Sequence, residues 1–166
     1  MEATPTPTFA IRPINAADNA VLAQLIRNVM TEFSCVGEGF SIMDPEMDDL
    51  YATYSQAGSA FFALTLNGKI VGCAGIGPLK GGEATTCELR KMYFLPEARG
   101  FGWGQKILEH CLLTAKELGY QLCYLETVNW MKTANQLYQK FGFESLDNQL
   151  GATGHSSCNL FYAKTL

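Results

Sequence analysis

Three alternating glycines, in Arg99-Gly100-Phe101-Gly102-Trp103-Gly104, mark the place where this chain must end a strand, turn tightly and begin a helix. Upstream, Thr85 to Leu95 reads as a long strand. Downstream, Gly102 to Leu118 places Ile107, Leu108, Cys111, Leu112, Ala115 and Leu118 on one helical face. Glycines let backbone N–H groups approach a ligand and let the turn adopt unusual φ/ψ angles. The helix that follows aims its positive dipole end at the same spot. The segment therefore has the mechanics of a phosphate cradle. It lacks the Gly-Lys-Ser/Thr of a Walker loop. Its Gly-x-Gly-x-Gly spacing also departs from the Gly-x-Gly-x-x-Gly of dinucleotide folds.

The elements around this loop follow from hydrophobic periodicity. Phe9 to Arg12 reads as a short strand, and Asn15 or Asp18 can cap a helix carrying Val21, Leu22, Leu25, Ile26 and Val29. Asp44-Pro45-Glu46 predicts a second helix, running to about Gln56. Ala60–Leu66 and Lys69–Ile76 flank Asn67-Gly68, a strong hairpin signal. A strand over Gln121–Val128, a helix over Lys132–Phe141 ended by Gly142, and short strands near 143–146 and 158–164 complete the chain. Hairpins first, then strands alternating with helices, predict an α/β or α+β sandwich with a mixed, mostly antiparallel central sheet and helices on both faces.

With 166 residues, 48% of them apolar and 17% charged, the chain is long and apolar enough for one self-sufficient core. A loose arm over 1–7 and a single domain over 8–166 are expected. No apolar run reaches the ~20 residues of a membrane span, and Met1 to Pro5 lacks the features of a signal peptide. The six cysteines form no Cys-x-x-Cys pair and mostly sit in apolar runs, the pattern of buried reduced thiols in a cytoplasmic protein. His155 and Cys158 are too sparse for a metal site, so no metal is expected. The net charge of −4 argues against nucleic acid as a partner, and no membrane partner is expected. Charge is uneven. Between Arg27 and Lys69 there is no basic residue, only Glu32, Glu38, Asp44, Glu46, Asp48 and Asp49, whereas 90–140 carries seven basic residues against four acidic ones. The first stretch favours a cation and the second an anion.

Arg99-x-x-Gly102-x-Gly104 after Met92-Tyr93-Phe94-Leu95-Pro96 resembles the acetyl-CoA signature of the GNAT superfamily of N-acetyltransferases. A second block agrees: Tyr124-Leu125-Glu126-Thr127-Val128, then Ala134-Asn135-Gln136-Leu137-Tyr138, ending in Gly142-Phe143. The two blocks span about residues 85–145. The resemblance implies that acetyl-CoA is the cosubstrate, with its pyrophosphate on the backbone of Arg99, Gly100, Phe101, Gly102, Trp103 and Gly104. Its pantetheine arm would lie along Met92, Tyr93 and Phe94, between strands 85–95 and 121–128. Asn135 and Tyr138 would lie beside it. Many family members carry asparagine three residues before the helix alanine. Here Met131 stands there, with Asn129 and Asn135 displaced.

Acetyl transfer to an amine needs a free amine, a stabilised oxyanion and a proton for the leaving thiolate. The resemblance assigns the proton to Tyr138. Two carboxylates, Glu126 and Glu88, compete as general base, with a water chain as the remaining possibility. Either sits in an apolar strand, so a raised pKa is expected. Glu32, Glu38, Phe40 and His155 are candidate acceptor contacts, the carboxylates and aromatics of 32–54 suiting a small cationic amine. A protein N-terminus is the alternative acceptor. A non-catalytic acyl-CoA sensor on the same fold is the alternative function, and it would need neither Tyr138 nor a buried glutamate. A homodimer, paired through a strand edge, is compatible with the pattern.

Overall fold

The computed structural model describes residues 3–166. Of the arm expected over 1–7, residues 1 and 2 lie outside the described residues, and 3–8 run exposed and without secondary structure. Seven strands, β1 (Phe9–Pro13), β2 (Ala60–Leu66), β3 (Lys69–Pro78), β4 (Thr86–Phe94), β5 (Leu122–Thr127), β6 (Glu144–Leu146) and β7 (Leu160–Thr165), form one sheet. Their order is β1-β2-β3-β4-β5-β7-β6. All neighbours are antiparallel except β4 and β5. The α-helices are α1 (Asn19–Glu32), α2 (Leu50–Tyr54), α3 (Trp103–Glu117) and α4 (Lys132–Lys140). None of the described helices is long and apolar enough to cross a membrane.

The sheet is covered on both faces, so it has two cores. In β2, Phe62 and Leu64 pack with Ile107, Leu108 and Cys111 of α3, while Phe61 and Ala63 pack with Leu22, Ile26 and Val29 of α1. This is the period-two alternation of a strand between two helical layers. The cover on both sides explains why β3 is apolar nearly throughout. All six cysteines are free, and only Cys158 is less than fully buried.

Local chemistry sets the element boundaries. Asn15 Oδ1 accepts from the Ala17 amide at 3.0 Å while Asp18 Oδ2 accepts from the Asn15 amide at 2.9 Å, a reciprocal cap ahead of α1. Arg12 clamps the same Asp18 with two bonds of 2.7 and 3.0 Å. The single helix expected over 44–56 does not form. After a 3₁₀ turn at Ser41–Met43, the segment makes a second one, Pro45–Asp48, then restarts as α2. Asp49, extended at φ −154°, is the break, and its side chain caps the new helix at the Ala52 amide, 3.0 Å away. Short acidic side chains that bond nearby amides compete with a continuous helix in this way.

Two features of β4 position the site. Cys73 faces Tyr93 and Gly75 faces Arg90, so β4 holds one residue more than β3 over that stretch. The bulge centres on Lys91, whose φ is +52°. Second, β4 pairs with β5 only from Thr86 to Glu88, against Leu122 to Tyr124. Beyond Glu88 the two strands part. Each keeps its other neighbour, since β4 stays on β3 and β5 stays on β7 along its whole length.

The β2–β3 turn tests the hairpin reading. Asn67 and Gly68 both have positive φ, +49° and +82°. Gly68→Ala should destabilise the fold by about 1 kcal/mol, because an added Cβ disfavours the left-handed conformation although space is free. Thermal unfolding of the two proteins checks this, and an unchanged midpoint would contradict it.

Candidate active site

Where β4 and β5 part, two cavities open and meet at Met92, Tyr93 and Met131. The outer one, about 540 Å³, is lined by Met92–Phe94, by Arg99, Gly100, Gly102, Trp103 and Gly104, and by the start of α4. Gly102 is the residue before α3, at φ +80°, and caps it without a side chain. The first amides of α3 are thus free to face a ligand, with the positive end of the helix behind them. A Cβ at Gly100 or Gly102 would meet nothing, so their conformation rather than crowding requires glycine. Gly104 differs. Its backbone φ is not positive, and an added Cβ would make only ordinary contacts with Leu137 and Phe94. These amides, the glycine backbone and the open edge of β4 fit a pyrophosphate with a linear arm attached.

Three residues expected at the cofactor site lie differently. Arg99 lines the outer cavity, but its guanidinium is committed. It donates to both Glu32 carboxylate oxygens at 2.7 and 2.8 Å and to the Phe94 carbonyl at 2.8 and 3.0 Å. Phe101 turns away from the cavity, 61% exposed, with its ring 5.6 Å from Phe9. Asn135 is buried against the end of β5, its amide donating to the Val128 carbonyl at 3.0 Å, and it lines neither cavity. Its Oδ1 has no partner among the described residues.

The inner cavity, about 70 Å³, holds the ionisable groups. Glu88, Glu126, Tyr138, Phe40 and His155 line it together, from elements as far apart as the 3₁₀ turns and the β6–β7 loop. His155 bridges two carboxylates. Its Nε2 is 2.9 Å from Asp44 Oδ1, and its Nδ1 is 3.3 Å from Glu126 Oε1. Burial, the largest single influence, lowers the imidazole pKa. Asp44 and Glu126 outweigh it and hold the ring up to about 9, so it carries a proton on both nitrogens at neutral pH. Glu126 is also pushed up first by burial, yet bonds from His155, Thr153, Gln149 and Tyr124 bring it below the ordinary carboxylate value. The expected rise therefore fails for Glu126 and holds for Glu88, where burial dominates over the bond from Arg90. Burial likewise raises Tyr138, keeping its phenol protonated, and pushes the Cys158 thiol in the same cavity up to about 12.

The acidic stretch does not present free charge to this pocket. Glu32 is spent on Arg99, and Glu38 is exposed and lines neither cavity. Asp44 and Glu46 are engaged by Lys91, at 3.2 and 3.1 Å. Attraction of a cationic acceptor by a free acidic wall thus loses its basis. Sequence reading also passed over Lys91 and Arg90 as pocket residues. The signal was present in Glu88-Leu89-Arg90-Lys91, where adjacent charges break the period-two pattern of a strand.

A family model for the Acetyltransferase (GNAT) domain matches residues 57–145, more than half of the chain. The sequence is 42% identical over 151 residues to the uncharacterised N-acetyltransferase YjgM of Escherichia coli, with 90% of each chain covered. The chain belongs to the GNAT acetyltransferase family. It is an acyl-CoA-dependent N-acetyltransferase. Solved structures agree on the fold. A GNAT acetyltransferase of Staphylococcus aureus Mu50 superposes with a TM-score of 0.82 at 22% identity, covering 95% of this chain and 99% of that one. The PaiA N-acetyltransferase of Thermoplasma acidophilum, solved in complex with coenzyme A, superposes with a TM-score of 0.74 at 16% identity, covering 96% and 99%.

The acetyltransferase should show the His155 bridge in its pH dependence. The folded-state pKa lies above the ordinary 6.5, so the stabilisation is full below about 6.5 and is lost as pH rises through about 9. A proton NMR titration should find one histidine, His155, titrating near 9, and His155→Gln should flatten the loss of stability over that window. Titration of His155 near 6.5 would contradict the bridge.

Proposed function

We propose that the protein transfers the acetyl group of acetyl-CoA to the primary amine of a small acceptor, by direct attack within a ternary complex. One observation carries the assignment of roles. Among the four carboxylates of the inner pocket, Asp44, Glu46 and Glu126 have every oxygen engaged by a neighbour, while Glu88 uses only Oε1, on Arg90 Nε at 2.7 Å. Burial also holds the Glu88 carboxyl above the ordinary range. A carboxylate with a free oxygen and a raised pKa, at the point where β4 and β5 separate, suits a general base for an ammonium.

In this reading Glu88 takes the proton of the acceptor amine, the C–N bond forms as the thioester C–S bond breaks, and Tyr138 supplies the proton of the leaving sulfur. The raised pKa of the Tyr138 phenol keeps that proton available at any physiological pH. The acetyl group and its activation come with the thioester when acetyl-CoA is bound. Met92, Tyr93 and Phe94 would hold its pantetheine arm along the open edge of β4, and the amides after Gly102 would hold its pyrophosphate. Glu126, saturated by four donors, is a positioning residue that anchors the 149–155 loop and His155. The neutral thiol of Cys158 supports attack without an enzyme nucleophile. The small inner volume supports an acceptor with a slender amine-bearing end.

Release of free thiol from acetyl-CoA, measured across an amine panel, tests these roles. Glu88→Gln should lose the acidic limb of the pH–rate profile, and Tyr138→Phe should lower kcat about a hundredfold with acetyl-CoA binding intact. Loss of the limb in Glu126→Gln alone, or unchanged turnover in Tyr138→Phe, would overturn the assignment.

A further inference from the structure

Lys91 is an unusual residue for the floor of an acceptor pocket. Its side chain is 1% exposed, and its backbone sits at φ +52°, where a side chain other than glycine is disfavoured. A buried ammonium persists only with close partners. It has three: Asp44 Oδ2 at 3.2 Å, Glu46 Oε1 at 3.1 Å and the Ser41 carbonyl at 3.1 Å. Two of these are hydrogen bonds, to Ser41 and Asp44, and the Glu46 carboxylate adds an ion pair, so the ammonium is compensated on every side that the pocket offers it. All four residues line the inner pocket or its wall, so the site borders the space in which the acceptor sits. The chain fills that site with its own ammonium, delivered by the β4 bulge.

The remaining charges of the pocket are closed in the same manner. Arg90 joins Glu88 at 2.7 Å and Glu46 at 3.9 Å, and His155 joins Asp44 and Glu126. Only Glu88 keeps an oxygen for an incoming amine. An acceptor bearing a second ammonium would find its natural counter-site already taken, and would meet the Lys91 charge instead.

We infer that Lys91 is the specificity-determining residue of the acceptor pocket: its ammonium occupies the pocket's second cation site and restricts acceptors to amines with a single positive charge. The inference rests on reading the inner pocket as the acceptor site. It also gives the acceptor class, a primary monoamine on an uncharged body, in place of a polyamine.

Lys91→Gly tests this directly, because glycine suits the positive φ of the bulge while removing the tethered ammonium. The vacated site should then bind a free one. Added 1,4-diaminobutane or methylammonium should raise the unfolding midpoint of the variant by about 3 °C or more, with no such rise in the wild type. Tetramethylammonium at equal ionic strength, which cannot donate, should do nothing. In thiol-release assays the ratio of kcat/KM for 1,4-diaminobutane to that for n-butylamine should increase about tenfold or more in the variant. If Lys91→Gly does not fold unaided, refolding with and without 1,4-diaminobutane reads the same site, and recovery only with the diamine supports it. No difference between amines and tetramethylammonium, an equal response of the wild type, or no recovery on refolding overturns the inference. Full turnover in Glu88→Gln would unseat the acceptor pocket while leaving the ammonium rescue intact, so the two readings fail separately.

Discussion

The short parallel pairing of β4 with β5 is the constraint on which the site depends. Three residue pairs, ending at Glu88 and Tyr124, hold the two halves of the sheet together. Past that point β4 is bulged at Lys91 and follows β3, while β5 follows β7. A sheet normally satisfies every interior edge. Here one interior edge of β4, from Leu89 to Phe94, is left without a strand beside it, and both cavities lie along that gap. A linear arm with amide groups can take the place of the missing strand. The glycine loop and the start of α3 stand at its outer end, and Glu88, Tyr138 and His155 at its inner end. One defect in strand pairing thus brings the glycine loop and the cluster of ionisable side chains into line.

The inner cluster shows how environment divides the roles of similar groups. Glu88 and Glu126 are both glutamates on central strands facing one pocket. Four donors crowd Glu126 and stabilise its anion, whereas Glu88 is buried with a single partner. The same side chain is held as a stabilised anion in one place and is raised toward the range of a general base in the other, the role proposed for it. His155 follows the same logic. Flanked by Asp44 and Glu126, it stays cationic and ties the β6–β7 loop to the acidic turns on the far side of the pocket.

The fold was largely legible because periodicity and turn chemistry are local. The Asn67-Gly68 hairpin, the amphipathic face of α3 and the glycine loop can be read within a few residues of themselves. The candidate residues Glu88, Glu126, Tyr138, Phe40 and His155 do converge on one cavity. What escaped the sequence depends on partners distant along the chain. Arg99 meets Glu32 across 67 residues, and His155 meets Asp44 across 111. Such pairings, together with Lys91, neutralise Glu32, Asp44 and Glu46 within an acidic stretch that looks free. The Lys91 bulge and the broken helix at Asp49 are failures of regular pattern, and a reading built on regular pattern smooths them over.

The parted strands and the α3 amides together make up the proposed acyl-CoA site. Calorimetric titration of acetyl-CoA into the wild type and into Gly104→Asp tests it most directly. A Cβ is tolerated at Gly104 and a carboxylate suits a helix N-terminus, so the variant should keep its stability. The wild type should bind acetyl-CoA, and Gly104→Asp, folded and with the same unfolding midpoint, should bind it at least about tenfold more weakly, because the new charge faces the phosphates. Equal affinity in the two proteins, or no binding by folded wild type, would contradict it.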